Sequence, residues 1–275
     1  MSFEISGDKE LPIVMEVAGN SFAFFFNKRA VSAETIAVCR ELKTDGAVYV
    51  AKRFGRYGFS LLNADGSKAR FCGNASLCLA KLIFDNRLVK EKAFEIFTDS
   101  GIKRVRIFGN KNQKVALEVG KPHFHRLRGR GAGSVLLKLK CGEKAFCVRG
   151  FPVDVGNRHL VFFDRRGASE AEIWEGVNSS ALFPDGVNVE FAEVRKNHLR
   201  VQVYERGCGK TLACGSGAAA VAFAARSIGC SKEKLVFDGG VISVIFKDDT
   251  AVISAAPKYK SENKIVCNCF DEGVI

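Results

Sequence analysis

No stretch of the 275 residues stays apolar long enough to span a bilayer, and the opening Met-Ser-Phe-Glu-Ile-Ser-Gly-Asp-Lys-Glu lacks the basic flank and unbroken apolar core of a secretion signal. No membrane role is expected, and the expected location is cytoplasmic. No Cys-x-x-Cys pair occurs among the ten cysteines; the close pairs are Cys72/Cys78, Cys141/Cys147, Cys208/Cys214 and Cys267/Cys269. Structural zinc uses other spacings, and disulfide frameworks belong to small secreted chains, so free thiols and no metal are expected. The phosphate-cradling Gly-x-x-x-x-Gly-Lys-Ser/Thr pattern is missing and no lysine marks a pyridoxal phosphate site, so no cofactor is implied. The net charge of +12 is spread among acidic residues, apart from the run Arg126 to Arg130, and no aromatic-basic recognition motif accompanies it. That pattern argues against a nucleic-acid partner, so none is expected, and suits a solvated surface that attracts a small anionic metabolite.

What the chain does have is a globular composition, 47% hydrophobic and 26% charged, and an internal repeat. Gly19-Asn20-Ser21-Phe22 and the apolar run after it are echoed by Gly156-Asn157-Arg158-His159, 137 residues on. Cys72-Gly73-Asn74-Ala75 is echoed by Cys214-Gly215-Ser216-Gly217, 142 residues on, and Asp99-Ser100-Gly101 by Asp238-Gly239-Gly240. Each cysteine follows a strand-like run and a glycine-bearing loop, and each precedes a helix-favouring apolar segment, Leu77 to Phe84 or Ala218 to Ala225. Three echoes in one order imply two related α/β halves. They are expected to be residues 1–119 and 120–264, meeting near Gly120-Lys121-Pro122, with 265–275 as a candidate return to the first half. A ligand site is expected between them.

A Cys-Gly-x-small turn at a helix entry carries chemistry. The first backbone N–H groups of a helix lack internal partners and bear the positive end of its dipole, so they can cradle a carboxylate. The same field is expected to lower a thiol's pKa. Two such turns facing each other would place an α-carbon between two sulfurs, one removing its proton and the other protonating the opposite face. The developing charge would be stabilised by helix dipoles and N–H groups in a water-excluding cleft. Taken singly, a cysteine in apolar surroundings is a small buried hydrophobe. Core packing, however, gives no reason for the same helix entry to recur at the matching place. Cys39, Cys141, Cys147, Cys230, Cys267 and Cys269 lack this context and are expected to be structural; Cys78 and Cys208 are assigned no role.

At these residues the sequence resembles the diaminopimelate epimerases. The resemblance is carried by Gly19 to Phe22, Asn63-Ala64-Asp65-Gly66-Ser67, Cys72 to Cys78, Gly156 to His159, Gly186-Val187-Asn188 and, most specifically, Tyr204-Glu205-Arg206-Gly207-Cys208-Gly209-Lys210-Thr211-Leu212-Ala213-Cys214-Gly215-Ser216-Gly217. It implies an α/β fold of two pseudo-twofold-related halves, each a curved sheet or open barrel around a central helix. It implies Cys72 and Cys214 as paired acid and base, with Gly73, Asn74, Gly215 and Ser216 at the reacting carboxylate and Asn20 near the inverted centre. Asn63, Asn157, Asn188, Glu205 and Arg206 would hold the distal end of a zwitterionic substrate, the guanidinium gripping a carboxylate and the Glu and Asn groups an ammonium. His159 is placed behind the site or is an ordinary packed histidine. A homodimer is left open.

Departures from the family pattern fall at Gly46, Ala75, Leu77, Arg158 and Lys210, where the family has a polar residue, a glycine, an arginine, a proline and an acidic residue. Cofactor-independent histidine racemases share the Cys-Gly-Asn-Ala start. The expected activity is therefore inversion of LL-diaminopimelate, with racemisation of another amino acid such as histidine, or amino-acid binding without turnover, as alternatives.

Overall fold

The two Gly-Asn echoes are hairpin corners. Gly19 (φ +84°) and Gly156 (φ +99°) adopt the left-handed backbone that glycine alone reaches without strain, and each turns one strand back on the next. The computed structural model describes residues 12–26, 28, 30–69, 71–109, 113–127 and 133–260. Residues 265–275, with Cys267 and Cys269, and the Arg128 and Arg130 part of the basic run lie outside the described residues.

In the first half, strand Ile13–Val17 pairs antiparallel with Asn20–Phe26, which crosses through helix α1 (Ser32–Leu42) to a parallel partner, Gly46–Arg53. Arg56–Asn63 follows antiparallel and turns onto the short Lys68–Ala69. Helix α2 (Gly73–Asp85) then leads to Ala93–Thr98, parallel to Arg56–Asn63, and to antiparallel Gly101–Phe108 and Lys114–Gly120. The second half repeats every step. Lys144–Asp154 pairs antiparallel with Arg158–Phe162, which crosses through helix α3 (Glu170–Asn178) to parallel Asn188–Val194. Leu199–Glu205 and the short Gly209–Thr211 come next, then helix α4 (Gly215–Ser227), Lys234–Val236, Val241–Lys247 and Thr250–Ala255. The Asp99 and Asp238 echoes are the turns between the last parallel strand and its hairpin partner in each half. Lys114–Gly120 pairs antiparallel with Thr250–Ala255, joining the halves by their final strands. The chain then crosses back, with Lys258–Tyr259 pairing against Met15 and Glu16 of the first half.

Helices α2 and α4 each bury ten of their thirteen residues. They are apolar on all sides, as a helix wrapped by a sheet must be. In α2, Leu79, Leu82 and Ile83 have no exposure, each contributing roughly 1.5–3 kcal/mol of transfer free energy. In α4 the run Ala218, Ala219, Ala220, Ala222, Ala224 and Ala225 keeps the axis slim. Helices α1 and α3 lie outside. Ser169 and Glu172 form a capping box that starts α3, and an additional hairpin, Val135–Cys141 with Lys144–Gly150, covers it by packing Leu137, Leu139 and Val148 into one cluster with Ile173 and Val177. Helix α1 buries only Thr35 and Cys39. No described helix is long and apolar enough to cross a membrane.

Candidate functional site

Cys72 and Cys214 are the N-cap residues of α2 and α4. Each has an extended backbone, and each thiol accepts a hydrogen bond from the N–H three residues on, Ala75 N to Cys72 Sγ at 3.4 Å and Gly217 N to Cys214 Sγ at 3.4 Å. Sulfur here takes the capping place usually held by a Ser, Thr, Asp or Asn oxygen. The two helix starts meet. A Cβ added to Gly215 would lie 3.6 Å from Gly73 Cα and 2.9 Å from Ile253 Cδ1, and one added to Gly73 would lie 3.1 Å from the same Ile253 methyl. The two glycines permit this approach, and Ile253, fully buried in the joining strand, forms its floor.

The other expected site residues fall into small groups around these helix starts. Asn74 Nδ2 donates to Asn20 Oδ1 at 2.5 Å. In the matching place of the second half, Asn157 Nδ2 donates to Ser216 Oγ at 3.3 Å, and Ser216 Oγ lies 3.4 Å from Cys214 Sγ. Asn188 Oδ1 accepts from the Arg206 backbone N–H at 2.9 Å, and the Arg206 side chain lies over Gly186 and donates from Nη1 to Asp185 O at 3.1 Å. Glu205 Oε1 accepts from Thr211 Oγ1 at 2.7 Å. Asn63 is the exception: its amide donates to Ser67 Oγ at 2.9 Å within its own loop, and no side-chain bond joins it to the other site residues among those described.

The thiols correct one expectation. Burial pushes Cys72 up to about 12, with the Ala75 N–H opposing and the Glu205 carboxylate reinforcing the rise. Burial likewise drives Cys214 well above its usual value, the charges of Glu205 and Glu190 adding to it while Ser216 and Gly217 oppose. Desolvation of the thiolate outweighs the helix N-terminus. Burial thus favours the protonated form of both thiols. Glu205 is itself raised by burial, against donation from Thr211.

Glu190 went unrecognised in the sequence. It is fully buried, with Oε1 2.6 Å from Nδ1 of the equally buried His159, whose Nε2 lies 3.0 Å from Asn157 Oδ1. A readable signal existed: strand alternation puts Glu190 on the same face as Asn188, and a carboxylate there needs a buried partner. The departures at Ala75 and Leu77 prove to be fully buried on α2, and Ala75 still supplies the N–H that bonds Cys72. At Gly46 a Cβ would lie 2.8 Å from Leu62 O, so the backbone closes the place of the missing polar side chain.

A groove of about 830 Å3 opens elsewhere, beside the start of α3, lined by Arg165, Arg195, Arg200, Glu170, Glu193 and Gln202. Its guanidiniums are already engaged, Arg165 by Glu170, Arg195 by Glu193 and Arg200 by Asp238. Neither Cys72 nor Cys214 lines it.

A diaminopimelate epimerase family model matches residues 151–260. The chain is 34% identical to the diaminopimelate epimerase of Moorella thermoacetica over 70% of its own length and 71% of that enzyme, and 33% identical to that of Parabacteroides distasonis over 73% and 74%. Among solved structures, a hydroxyproline epimerase from Agrobacterium vitis superimposes with a TM-score of 0.63 at 13% identity, covering 91% of this chain and 90% of that one. A phenazine biosynthesis family protein of Enterococcus faecalis does so with a TM-score of 0.63 at 13% identity, covering 90% and 96%. Those two likenesses carry the fold; the closer sequence relatives carry the family. With its duplicated sheet-wrapped helices, this chain belongs to the diaminopimelate epimerase family.

Proposed function

We propose that the protein inverts an amino-acid α-carbon by proton transfer between Cys72 and Cys214, converting LL-diaminopimelate to the meso form in the cytoplasm. The observation that carries this reading is the meeting of two equivalent helix starts, each capped by a thiol. A carboxylate set against Gly73, Asn74, Gly215 and Ser216 would receive N–H groups from both helices. Its α-carbon would lie between the sulfurs, in the junction between residues 1–119 and 120–264.

The raised thiols fit this chemistry. A zwitterionic substrate brings its own ammonium, and that charge next to a desolvated sulfur favours the thiolate when, and only when, substrate is bound. One sulfur removes the α-proton and its opposite delivers another. Relatives named for diaminopimelate at 33–34% identity, together with the Asn188, Glu205 and Arg206 group, support a substrate with a second charged end.

Gly46 favours a second reading. A side chain common in the family has no room there, which loosens polar recognition near Asn63 and admits another amino acid such as histidine. Incubation with LL-diaminopimelate or L-histidine in deuterated water decides between them. We expect α-proton exchange and inversion of diaminopimelate, abolished in both Cys72→Ala and Cys214→Ala. Turnover of histidine alone would change the substrate, and full activity in either variant would remove the two-thiol mechanism.

A further inference from the structure

The two thiols have different surroundings. From Cys214 a continuous series of side chains runs through Ser216, Asn157 and His159 to Glu190, with separations of 3.4, 3.3, 3.0 and 2.6 Å. In the first half, strand register sets Phe22 where the second half has His159 and Val48 where it has Glu190. Asn74 stands in place of Ser216 and spends its amide on Asn20. Among the described residues, Cys72 thus has neither a hydroxyl neighbour of this kind nor a buried ionisable pair behind it.

We propose that Glu190 is a positioning residue that, through His159, fixes the direction of these hydrogen bonds, so that the Ser216 hydroxyl donates to Cys214 and Cys214 is the thiol equipped to hold negative charge during inversion. The inference rests on the two-thiol reading above. Its logic is the inventory of donors. Asn157 donates from Nδ2 to Ser216, so its Oδ1 faces His159 Nε2 and must receive a proton from it. Nδ1 faces the Glu190 carboxylate. The pair therefore holds a proton between them with Nε2–H always pointing towards Asn157. Ser216 Oγ, already accepting from Asn157, has its own hydrogen left for the sulfur.

A buried carboxylate needs compensation: Glu190 Oε1 has the His159 ring and the first turn of α4 beside it, while Oε2 has no hydrogen-bond partner among the described residues. A Cβ on Gly217 would come within 2.6 Å of Glu190 Oε1, so the absence of a side chain there brings the carboxylate against that turn. The Glu190 charge acts against a thiolate at Cys214, and the contact between Glu190 Oε1 and His159 Nδ1 at 2.6 Å opposes that effect. Glu205, on Leu199–Glu205, is the other acid facing Cys214, and its field reaches Cys72 as well. Glu205 also bonds Cys214; the series of donors running back to His159 has no counterpart at Cys72 among the described residues.

Two measurements test this. In 15N-labelled protein, NMR should show His159 Nε2 protonated from pH 6 to 9; an unprotonated Nε2 would overturn the proposal. Separately, the rates at which iodoacetamide alkylates Cys214 and Cys72 can be compared by mass spectrometry within the same molecules, a ratio to which general loosening of the fold contributes at both sites. Glu190→Gln and Ser216→Ala should each lower the Cys214 to Cys72 ratio by about threefold or more, since a hydrogen bond to a charged group is lost or weakened. An unchanged ratio in Ser216→Ala, or in a folded Glu190→Gln, would overturn it. Neither readout needs turnover, so failure of the exchange assay would remove the proposed reaction without deciding these results.

Discussion

At the scale of single residues, the buried thiols set how the protein responds to alkali. Cys78, fully buried on α2 and assigned no role in the site, is held well above its ordinary value by burial first and the nearby Cys72 next. An acid whose folded pKa is raised keeps its proton in the native state while the unfolded chain loses it. Stability is therefore unaffected below the unfolded value of 9.0 and falls as pH rises above it. Each such thiol contributes a slope of up to about 1.4 kcal/mol per pH unit. Urea denaturation between pH 8 and 10.5 should show stability dropping above pH 9, and Cys78→Ala should make that drop shallower; equal slopes would mean that Cys78 titrates normally. Arg206 gives the residue-scale test of substrate. With its guanidinium beside Asp185 at the site's rim, Arg206→Ala should raise KM for diaminopimelate about tenfold or more and leave kcat less affected. An unchanged KM would place the distal carboxylate elsewhere.

At the scale of the element, the starts of α2 and α4 share a design with one asymmetry. Three residues after the cap stands Ala75 in α2 but Gly217 in α4. Alanine favours a helix over glycine by roughly 1 kcal/mol, so propensity alone predicts that Gly217→Ala stabilises. The packing says otherwise. In the first half, apolar Val48 occupies the place that Glu190 holds in the second, whereas a methyl on Gly217 would press on a buried carboxylate oxygen 2.6 Å away. Gly217→Ala should lower the thermal midpoint and strongly reduce α-proton exchange, because Glu190 cannot move without breaking its bond to His159. A midpoint at or above that of the parent protein would show that propensity wins.

At the scale of the whole molecule, the α2–α4 junction is held by the pairing of the last strands of the two halves. Ile253 lies in that joint with no exposure, and its Cδ1 packs against both helix starts. Ile253→Ala should cost about 2–5 kcal/mol as a cavity-forming change. It should also lower kcat by more than a comparable substitution far from the junction, such as Ile173→Ala on the buried face of α3, because Ile253 packs against both helix starts. Equal losses of kcat in the two variants would show that the joint only stabilises.

Much of this was legible in the residue order. The echoes at Gly19 and Gly156, Cys72 and Cys214, and Asp99 and Asp238 fall at matching corners because turns and helix starts are local: glycine's freedom and the unpaired first N–H groups act within a few residues. The Ser169 to Glu172 capping box was equally local, though it was not read as the start of α3. Tertiary structure alone decided the covering hairpin Val135–Gly150, the pairing of Lys114–Gly120 with Thr250–Ala255, and the partnership of Glu190 with His159, each made by residues distant in the chain. It also reversed the expected ionisation of the thiols. A helix dipole can be anticipated from the position of a cap, whereas desolvation depends on everything that closes over the sulfur.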